Sequence, residues 1–251
     1  MNTENKYPLQ GCRILYTRSK QHWLQAEPLL RQLGAQPYHL PLLDTKMQPL
    51  SAKALEQCRK ADDLVFVSAQ AVQHFLAQYQ PVFQQNLIAI GMKTADALTA
   101  HAQTRFLVAP PPYNSEALLR IWQPQRHKIA LIAAEGGRDL LYTTLSEDNE
   151  VYRIDTYQRF NPTHAWNFEM PLPHCILLAS VQTLAHFLAI TPQNMLKLLQ
   201  CRAVIVALSP RIMQAAVHAG FLHCISAQYA DERHLISCLE QWWLSTQGDS
   251  S

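Results

Sequence analysis

One stretch of this chain occurs twice. Leu64–Leu76 reads LVFVSAQAVQHFL and Ile176–Leu188 reads ILLASVQTLAHFL, so Ser68 aligns with Ser180, Gln70 with Gln182, and His74-Phe75-Leu76 with His186-Phe187-Leu188. Each copy opens with a short apolar run, the pattern of a strand buried on both faces of a parallel sheet. Each run ends in Ser, a favoured N-cap. Helical spacing follows, with Val72, Phe75, Leu76 and Tyr79 in the first copy and Leu184, Phe187 and Leu188 in the second. A strand–Ser–helix unit used twice predicts two related α/β domains.

The rest of the chain is compatible with that plan. Its 251 residues suit two domains, and 48% hydrophobic residues suffice for two cores. No apolar run approaches the roughly 20 residues that span a bilayer, so no membrane partner is expected. The first residues, MNTENKYPLQG, lack a signal-peptide apolar region, which makes a cytoplasmic location the expectation. Net charge is +2, from 21 Lys and Arg against 19 Asp and Glu, without a basic stripe for nucleic acid. The six cysteines form no CxxC pair, and the 11 histidines form no HExxH or tight cluster with carboxylates. No metal is expected, and Cys175 and Cys224 read as reduced residues in strands.

Taken in order, Arg13–Arg18 is a strand and Gln21–Leu33 a helix, kinked or restarted at Pro28 and stopped by Gly34. The extended segment 36–43 carries Pro37 and Pro41 and reads as a crossing between domains. Strand and helix patterns then alternate. Helix Leu50–Lys60 precedes strand Leu64–Val67; strand Asn86–Gly91 precedes helix Thr94–Ala102; and Phe106–Ala109 and Lys128–Ala133 are further strands. Extended Val151–Phe160 reads as the return crossing. The segment 161–173 shows no element. After the second repeat come strand Arg202–Leu208, a helix begun by Ser209-Pro210, strand Cys224–Ala227, a helix through Trp242-Trp243, and a frayed tail from Gly248. The expected class is therefore α/β: two doubly wound parallel-sheet domains joined by a two-stranded connector, the first discontinuous. Its boundaries are 1–36 with 161–251 for the first domain, 44–150 for the inserted one, and 37–43 and 151–160 for the connector.

Ligands of open α/β sheets bind beyond the carboxyl ends of the strands. Those ends carry Thr17-Arg18, Ser68-Ala69, Lys93-Thr94, Gly137-Arg138, Ser180-Val181 and Ser209-Pro210-Arg211. Each adjoins a helix start, where free N–H groups and the positive dipole end favour anions. Arg18, Lys93, Arg138 and Arg211 add charge. The expectation is a cleft between two domains that receives carboxylates or phosphates. For any single position the plainer reading is a cap or a solvated side chain. No strand end offers a phosphoacceptor Asp, and there is no Walker loop or GxGxxG.

These junctions together resemble the uroporphyrinogen-III synthase family. The resemblance runs from about Arg13 to Trp243 and is carried by ILYTR, LVFVSAQAV, IAIGMKTADAL, GGRDLL, TYQR and LLAS in that order. It implies two α/β domains on a two-stranded connection and a cofactor-free lyase of haem biosynthesis. The substrate would be hydroxymethylbilane, a linear tetrapyrrole with an acetate and a propionate on each ring. The enzyme would close it with loss of water and inversion of the last ring, through an azafulvene and a spiro intermediate. Spontaneous closure gives the uninverted isomer, so the protein's task would be orientation. The resemblance further implies a monomer, in transient contact with hydroxymethylbilane synthase. Substrate contacts would come from Thr17, Arg18, Ser68, Ala69, Lys93, Thr94, Gly137, Arg138, Ser180, Val181 and Ser209. Tyr157 would be the proton donor to the leaving hydroxyl, with Tyr152 as its rival.

Three places depart from the family pattern. Ala133-Ala134-Glu135 stands where an Arg-Gly pair is common, Ser209-Pro210-Arg211-Ile212 replaces Gly-x-x-Thr, and Gln70 replaces a smaller or Asn-type residue. Glu135 would repel an acidic substrate. Two alternatives follow: a catalytically reduced relative that binds a tetrapyrrole or other polyanion for regulation, and a general two-domain small-anion binder.

Overall fold

The computed structural model describes residues 7–101, 105–137, 139–165, 171–229 and 231–248. The chain divides into two compact units, Met1–Asp44 with Phe160–Ser251, and Thr45–Arg159. In chain order, β1 (Arg13–Tyr16), α1 (Lys20–Gln32) and β2 (Gln36–His39) come first. They are followed by β3 (Asp44–Met47), α2 (Ala52–Lys60), β4 (Asp63–Phe66), α3 (Ala69–Leu76), β5 (Asn86–Ala89), α4 (Met92–Ala100) and β6 (Leu107–Val108). Next are α5 (Ser115–Ile121), β7 (Lys128–Ala134), α6 (Leu140–Leu145) and β8 (Glu150–Phe160). The chain closes with β9 (Cys175–Leu178), α7 (Val181–Ile190), α8 (Gln193–Arg202), β10 (Val204–Ala207), α9 (Pro210–His218), β11 (His223–Ser226) and α10 (Glu232–Gly248).

The first unit is built on a five-stranded sheet in the order β11-β10-β9-β1-β2, with every neighbour parallel. Strand side chains alternate between faces. Leu15, Ile176, Leu178 and Ile205 therefore pack against Leu184, Leu199 and Ile212 of α7, α8 and α9. Ile14, Tyr16, Leu177 and Val206 pack on the other side against Leu30 of α1 and Leu235 and Leu239 of α10. Covered on both faces, the strands can be apolar at every position, as β9 and β10 are.

The inserted unit has a six-stranded sheet, β3-β8-β7-β4-β5-β6, parallel through β8, β7, β4, β5 and β6. Leu64, Phe66, Ala130 and Ile132 face Val72 and Phe75 of α3 and Leu98 of α4. Val65, Ile88, Ile129 and Leu131 face Leu118 of α5 and Leu141 and Leu145 of α6. Both sheets are thus doubly wound, as the alternating pattern predicts.

Several expectations are corrected. α1 runs unbroken through Pro28: that residue is exposed, so water can satisfy the carbonyl a turn earlier that loses its amide partner. Helix α4 starts at Met92, not Thr94, with Gly91 as its N-cap. Strand β3 and helix α8 were not expected, and Arg202 ends α8 where a strand was expected to begin. α10 reaches Gly248, and residues 249–251 of the expected tail lie outside the described residues. Pro37 pairs with Ile14 at the sheet edge, the place a proline is tolerated.

Candidate active site

β8 carries a bulge that decides where Tyr157 points. Opposite β7 the register runs Ala133 to Asp155 and then Ala134 to Tyr157, so Thr156 is the additional residue. Without it Tyr157, an odd number of positions from Ile154, would face the other side of the sheet. With it, Tyr157 joins Ile154 and Tyr152 on the face covered by α3. The bulged Thr156 is buried and donates its hydroxyl to the Ala133 carbonyl at 3.3 Å.

Tyr157 is 2% exposed. Its hydroxyl lies 3.0 Å from Ser68 Oγ, and Ser68 Oγ accepts the Ala71 N–H at 3.0 Å as the N-cap of α3. The His74 ring lies 5.3 Å from the phenol ring. Burial holds the His74 imidazole below its ordinary pKa. A phenolate formed here would meet the positive end of α3 and a serine hydroxyl.

The same tyrosine lines a pocket of about 500 Å³ within the inserted unit, a volume in the range of small-ligand sites. Val67, Ser68 and Ile90 line it at the carboxyl ends of β4 and β5, Ala134 at the end of β7 with Gly136 and Gly137 just past it, and Tyr113, Asn114 and Ser115 at the start of α5. Tyr113 has φ 57 and stands against Gly91, where a Cβ would lie 3.0 Å from its own Cβ. Arg159, exposed, completes the rim. Among the described residues it takes no part in this unit's ion pairs, which are Lys60–Glu56, His127–Asp63 and Arg153 with Asp139 and Asp155. A larger pocket, about 640 Å³, opens at the amino end of β5 beside Phe83 and Trp122, away from the strand ends where α/β sheets take ligands.

Of the expected site residues in this unit, Ser68, Gly137 and Tyr157 share the pocket, and Ala69 follows as the first residue of α3. Lys93 is exposed and Thr94 buried on α4, and neither lines the pocket. Arg138 lies outside the described residues. Tyr152 is too far back along β8 to line the pocket; its hydroxyl donates to Glu150 at 2.6 Å, and that bond, with burial, raises its pKa to about 12. Glu135 is exposed, accepts from Gln48 Nε2 at 2.7 Å and is not part of the pocket lining, so its charge does not face the tyrosine's cavity. Ala133 and Ala134, the other members of that departure, are buried and supply small side chains to the wall.

In the first unit the expected residues gather at the carboxyl ends of three adjacent strands, β1, β9 and β10. Ser180 Oγ accepts the Thr183 N–H at 3.0 Å and lies 2.7 Å from Thr183 Oγ1, the counterpart of the Ser68 cap. Val181 begins α7 and is exposed. Ser209 makes no side-chain cap bond; the Ile212 N–H goes instead to the Ser209 carbonyl at 3.0 Å, and Pro210 occupies the first helical position. Thr17 is fully buried, and its hydroxyl donates to the Leu177 carbonyl at 2.5 Å, tying β1 to β9. Arg18 forms an ion pair with Glu232, and Tyr16 donates to the same carboxylate at 2.8 Å. Burial, and then that negative charge, hold the Tyr16 phenol well above its ordinary pKa.

Three contributors escaped the sequence reading. Arg159 stands in the quoted TYQR, two residues from Tyr157 and so in a position to share its surroundings. Glu232 is 214 residues from Arg18, and no local signal connects them. Arg153 organises the loop after β7, donating to the carbonyls of Gly137 at 3.2 Å and Ala134 at 3.4 Å while pairing with Asp139 and Asp155. Among the described residues no group of three His, Cys, Asp or Glu can hold a metal ion. No helix there is long and apolar enough to cross a membrane.

Comparison with known proteins places the chain in a family and its fold beside solved structures. The family model for uroporphyrinogen-III synthase HemD matches residues 25–237. No match was found among curated proteins. Two solved structures are similar in fold. A mutant uroporphyrinogen III synthase from Thermus thermophilus is 18% identical, with a TM-score of 0.61 over 95% of this chain and 100% of the other. A uroporphyrinogen-III synthetase from Helicobacter pylori is 13% identical, with a TM-score of 0.60 over 92% of this chain and 99% of the other.

Proposed function

The chain belongs to the uroporphyrinogen-III synthase HemD family, and from that premise we propose that the Tyr157 pocket is where the leaving hydroxyl departs. The protein is a lyase-type cyclase of tetrapyrrole biosynthesis, closing hydroxymethylbilane with loss of water and inversion of its last ring. The observation that carries the site assignment is the bond from Tyr157 to Ser68 inside a pocket rimmed by Arg159.

In this reading Tyr157 gives its proton to the hydroxyl as the carbon–oxygen bond breaks, and water leaves. Ser68, held by Ala71 N–H on its oxygen, turns its own hydrogen to the phenolate oxygen. The start of α3 stabilises the same charge. The exocyclic methylene of the azafulvene is then attacked by the substituted α-carbon of the last ring to give the spiro intermediate, which fragments and recloses with that ring inverted, and the protein keeps the chain folded for that attack. Arg159 pairs with a substrate carboxylate at the rim. Free N–H groups at Ala69 on α3 and Val181 on α7, with Ser180, Ser209, Arg18, Lys93, Gly137 and Arg138, receive the remaining carboxylates through main chain or side chain, while Thr17 and Thr94, expected to share this task, are buried with bonds to the Leu177 and Gly91 carbonyls. Main-chain donors suit this task, since they cost no side-chain ordering. Segments 37–43 and 151–160 carry the two crossings in this reading, with β2 belonging to the first sheet and β8 to the second, and the units dividing at residues 44/45 and 159/160.

The protein works without cofactor, as a cytoplasmic monomer that takes its labile substrate from hydroxymethylbilane synthase by transient contact. Its unpaired cysteines suit a reducing compartment: Cys12, Cys58 and Cys175 are buried thiols, and Cys201, Cys224 and Cys238 are also free. The test is a coupled assay in which hydroxymethylbilane is generated in place and the oxidised products are separated. Isomer III that dominates only when the protein is present supports the reading. Isomer I at equal rate with and without it overturns turnover and leaves a regulatory tetrapyrrole binder, to be sought by titration.

A further inference from the structure

The carboxyl end of β1 holds a cation that the fold has already neutralised. Arg18 lies just past β1, and its guanidinium pairs with Glu232 from the first turn of α10. Glu232 accepts on both oxygens: Arg18 on Oε2, Tyr16 on Oε1 at 2.8 Å. Arg18 is 15% exposed at the side chain and Glu232 29%, so the pair is partly open to solvent. The platform under it is rigid. Tyr16 is buried in the sheet, the Arg18 carbonyl contacts His39 Nε2 at 2.9 Å, and the His39 ring stacks on Trp23 at 4.7 Å with an interplanar angle of 1°.

Two features make Glu232 more than a structural anchor. It is the partner of an arginine at the carboxyl end of a strand, where open α/β sheets take ligands, with Ser180 and Ser209 following the next two strands β9 and β10. It also presents to Arg18 the group that an acetate or propionate side chain presents, a carboxylate with two acceptor oxygens. We propose that Glu232 is a resident stand-in for a substrate carboxylate: it keeps Arg18 extended and paired in the free protein, and a carboxylate of the tetrapyrrole displaces it. The exchange swaps one charge-assisted pair for another. A neutral ligand gains nothing from it, and a polyanion anchored elsewhere gains the pairing without ordering Arg18 anew. Glu232 then sets how tightly this subsite holds acidic side chains. The inference rests on the reading of Arg18 as a substrate contact.

Steady-state kinetics with enzymatically generated hydroxymethylbilane on Glu232→Gln, Arg18→Gln and the double variant separates the two ideas. Glu232→Gln keeps the shape and an oxygen for Tyr16 while removing the competing charge. It is expected to lower KM by roughly fivefold, the scale of a partly exposed ion pair, with a smaller change in kcat. Arg18→Gln is expected to raise KM, and the double variant to match Arg18→Gln alone. A KM for Glu232→Gln equal to or above that of the unaltered protein, with Arg18→Gln still raising KM, overturns the stand-in and keeps Arg18 as a contact. An unchanged KM for Arg18→Gln overturns both. Glu232→Asp, which retains the charge on a shorter arm, is expected to fall between; a KM above the unaltered protein's in this variant also counts against displacement.

Discussion

Tyr157 Oη stands 3.0 Å from Ser68 Oγ, and that serine oxygen takes the Ala71 N–H at the same distance. The phenol is therefore wired to the start of α3 through one atom. Replacing Tyr157 by Phe removes the hydroxyl but leaves the ring, the packing and the Ser68 cap. We predict a fall in turnover on the order of a hundredfold with a stability loss of about 1 kcal/mol. The coupled isomer assay beside a urea titration reads both, and unchanged turnover would remove the acid role while leaving the family assignment intact.

The three strand-end serines separate capping from the other roles. Ser68 and Ser180 each accept an amide at 3.0 Å, whereas Ser209 makes no cap bond. Alanine at Ser68 or Ser180 is predicted to cost about 1 kcal/mol, and alanine at Ser209 less than about 0.5 kcal/mol. Equal urea midpoints for all three would contradict the assignment of the caps.

Among the described residues Arg159 is the cation that lines the Tyr157 pocket, outside the ion pairs of its unit, and a single charge-assisted bond is worth about 1.5–3 kcal/mol. Glutamine at Arg159 is predicted to raise KM for hydroxymethylbilane roughly tenfold, with kcat affected less. A change confined to kcat would place the residue at the chemistry instead of at a carboxylate.

Acid is predicted to weaken this fold through three of its histidines. Burial lowers the pKa of His39, His74 and His174, with Arg13 adding to the effect at His174. A histidine with a depressed folded value is protonated first in the unfolded chain. Its contribution is complete above the unfolded value, about 6.5, and declines as pH falls from there towards the folded values. The urea midpoint at pH 5.5 should lie below that at pH 7.5, and His39→Gln should flatten the slope. A midpoint that holds or rises on acidification would refute this.

How much of this was legible follows from the range of each signal. The twin stretches at Leu64 and Ile176 announce buried strands and capped helices because their signals are local, and β4, α3, β9 and α7 lie where they indicate. Helix α8, QNMLKLLQCR, was missed: it starts after Pro192 with no side-chain cap, and of its five apolar residues only Leu196 and Leu199 are buried. Tyr157 was named from a resemblance, but its orientation was beyond reach. Period-two counting from Ile154 aims it at the wrong face, and only the bulge at Thr156 reverses that. The Arg18–Glu232 pair joins the two ends of the chain, a distance over which a sequence carries no local mark.

The interior strand β1, next to the sheet edge, has one neighbour close by in sequence and one far away: Ile14 pairs with Pro37 on one side and Cys175 on the other. Synthesis is vectorial, so when residue 160 has left the ribosome the inserted unit is complete and β1 still lacks its inner neighbour. The unit made second should therefore be the one that closes first. We predict that a chain truncated after Phe160 shows protease protection across Thr45–Arg159 while Arg13–His39 is cleaved, and protection of both segments would show that β1 needs no later partner. The oldest part of the nascent chain waits longest, exposed to chaperones and proteases, and a sluggish codon or damaging substitution in the last third would be felt first at its opposite end.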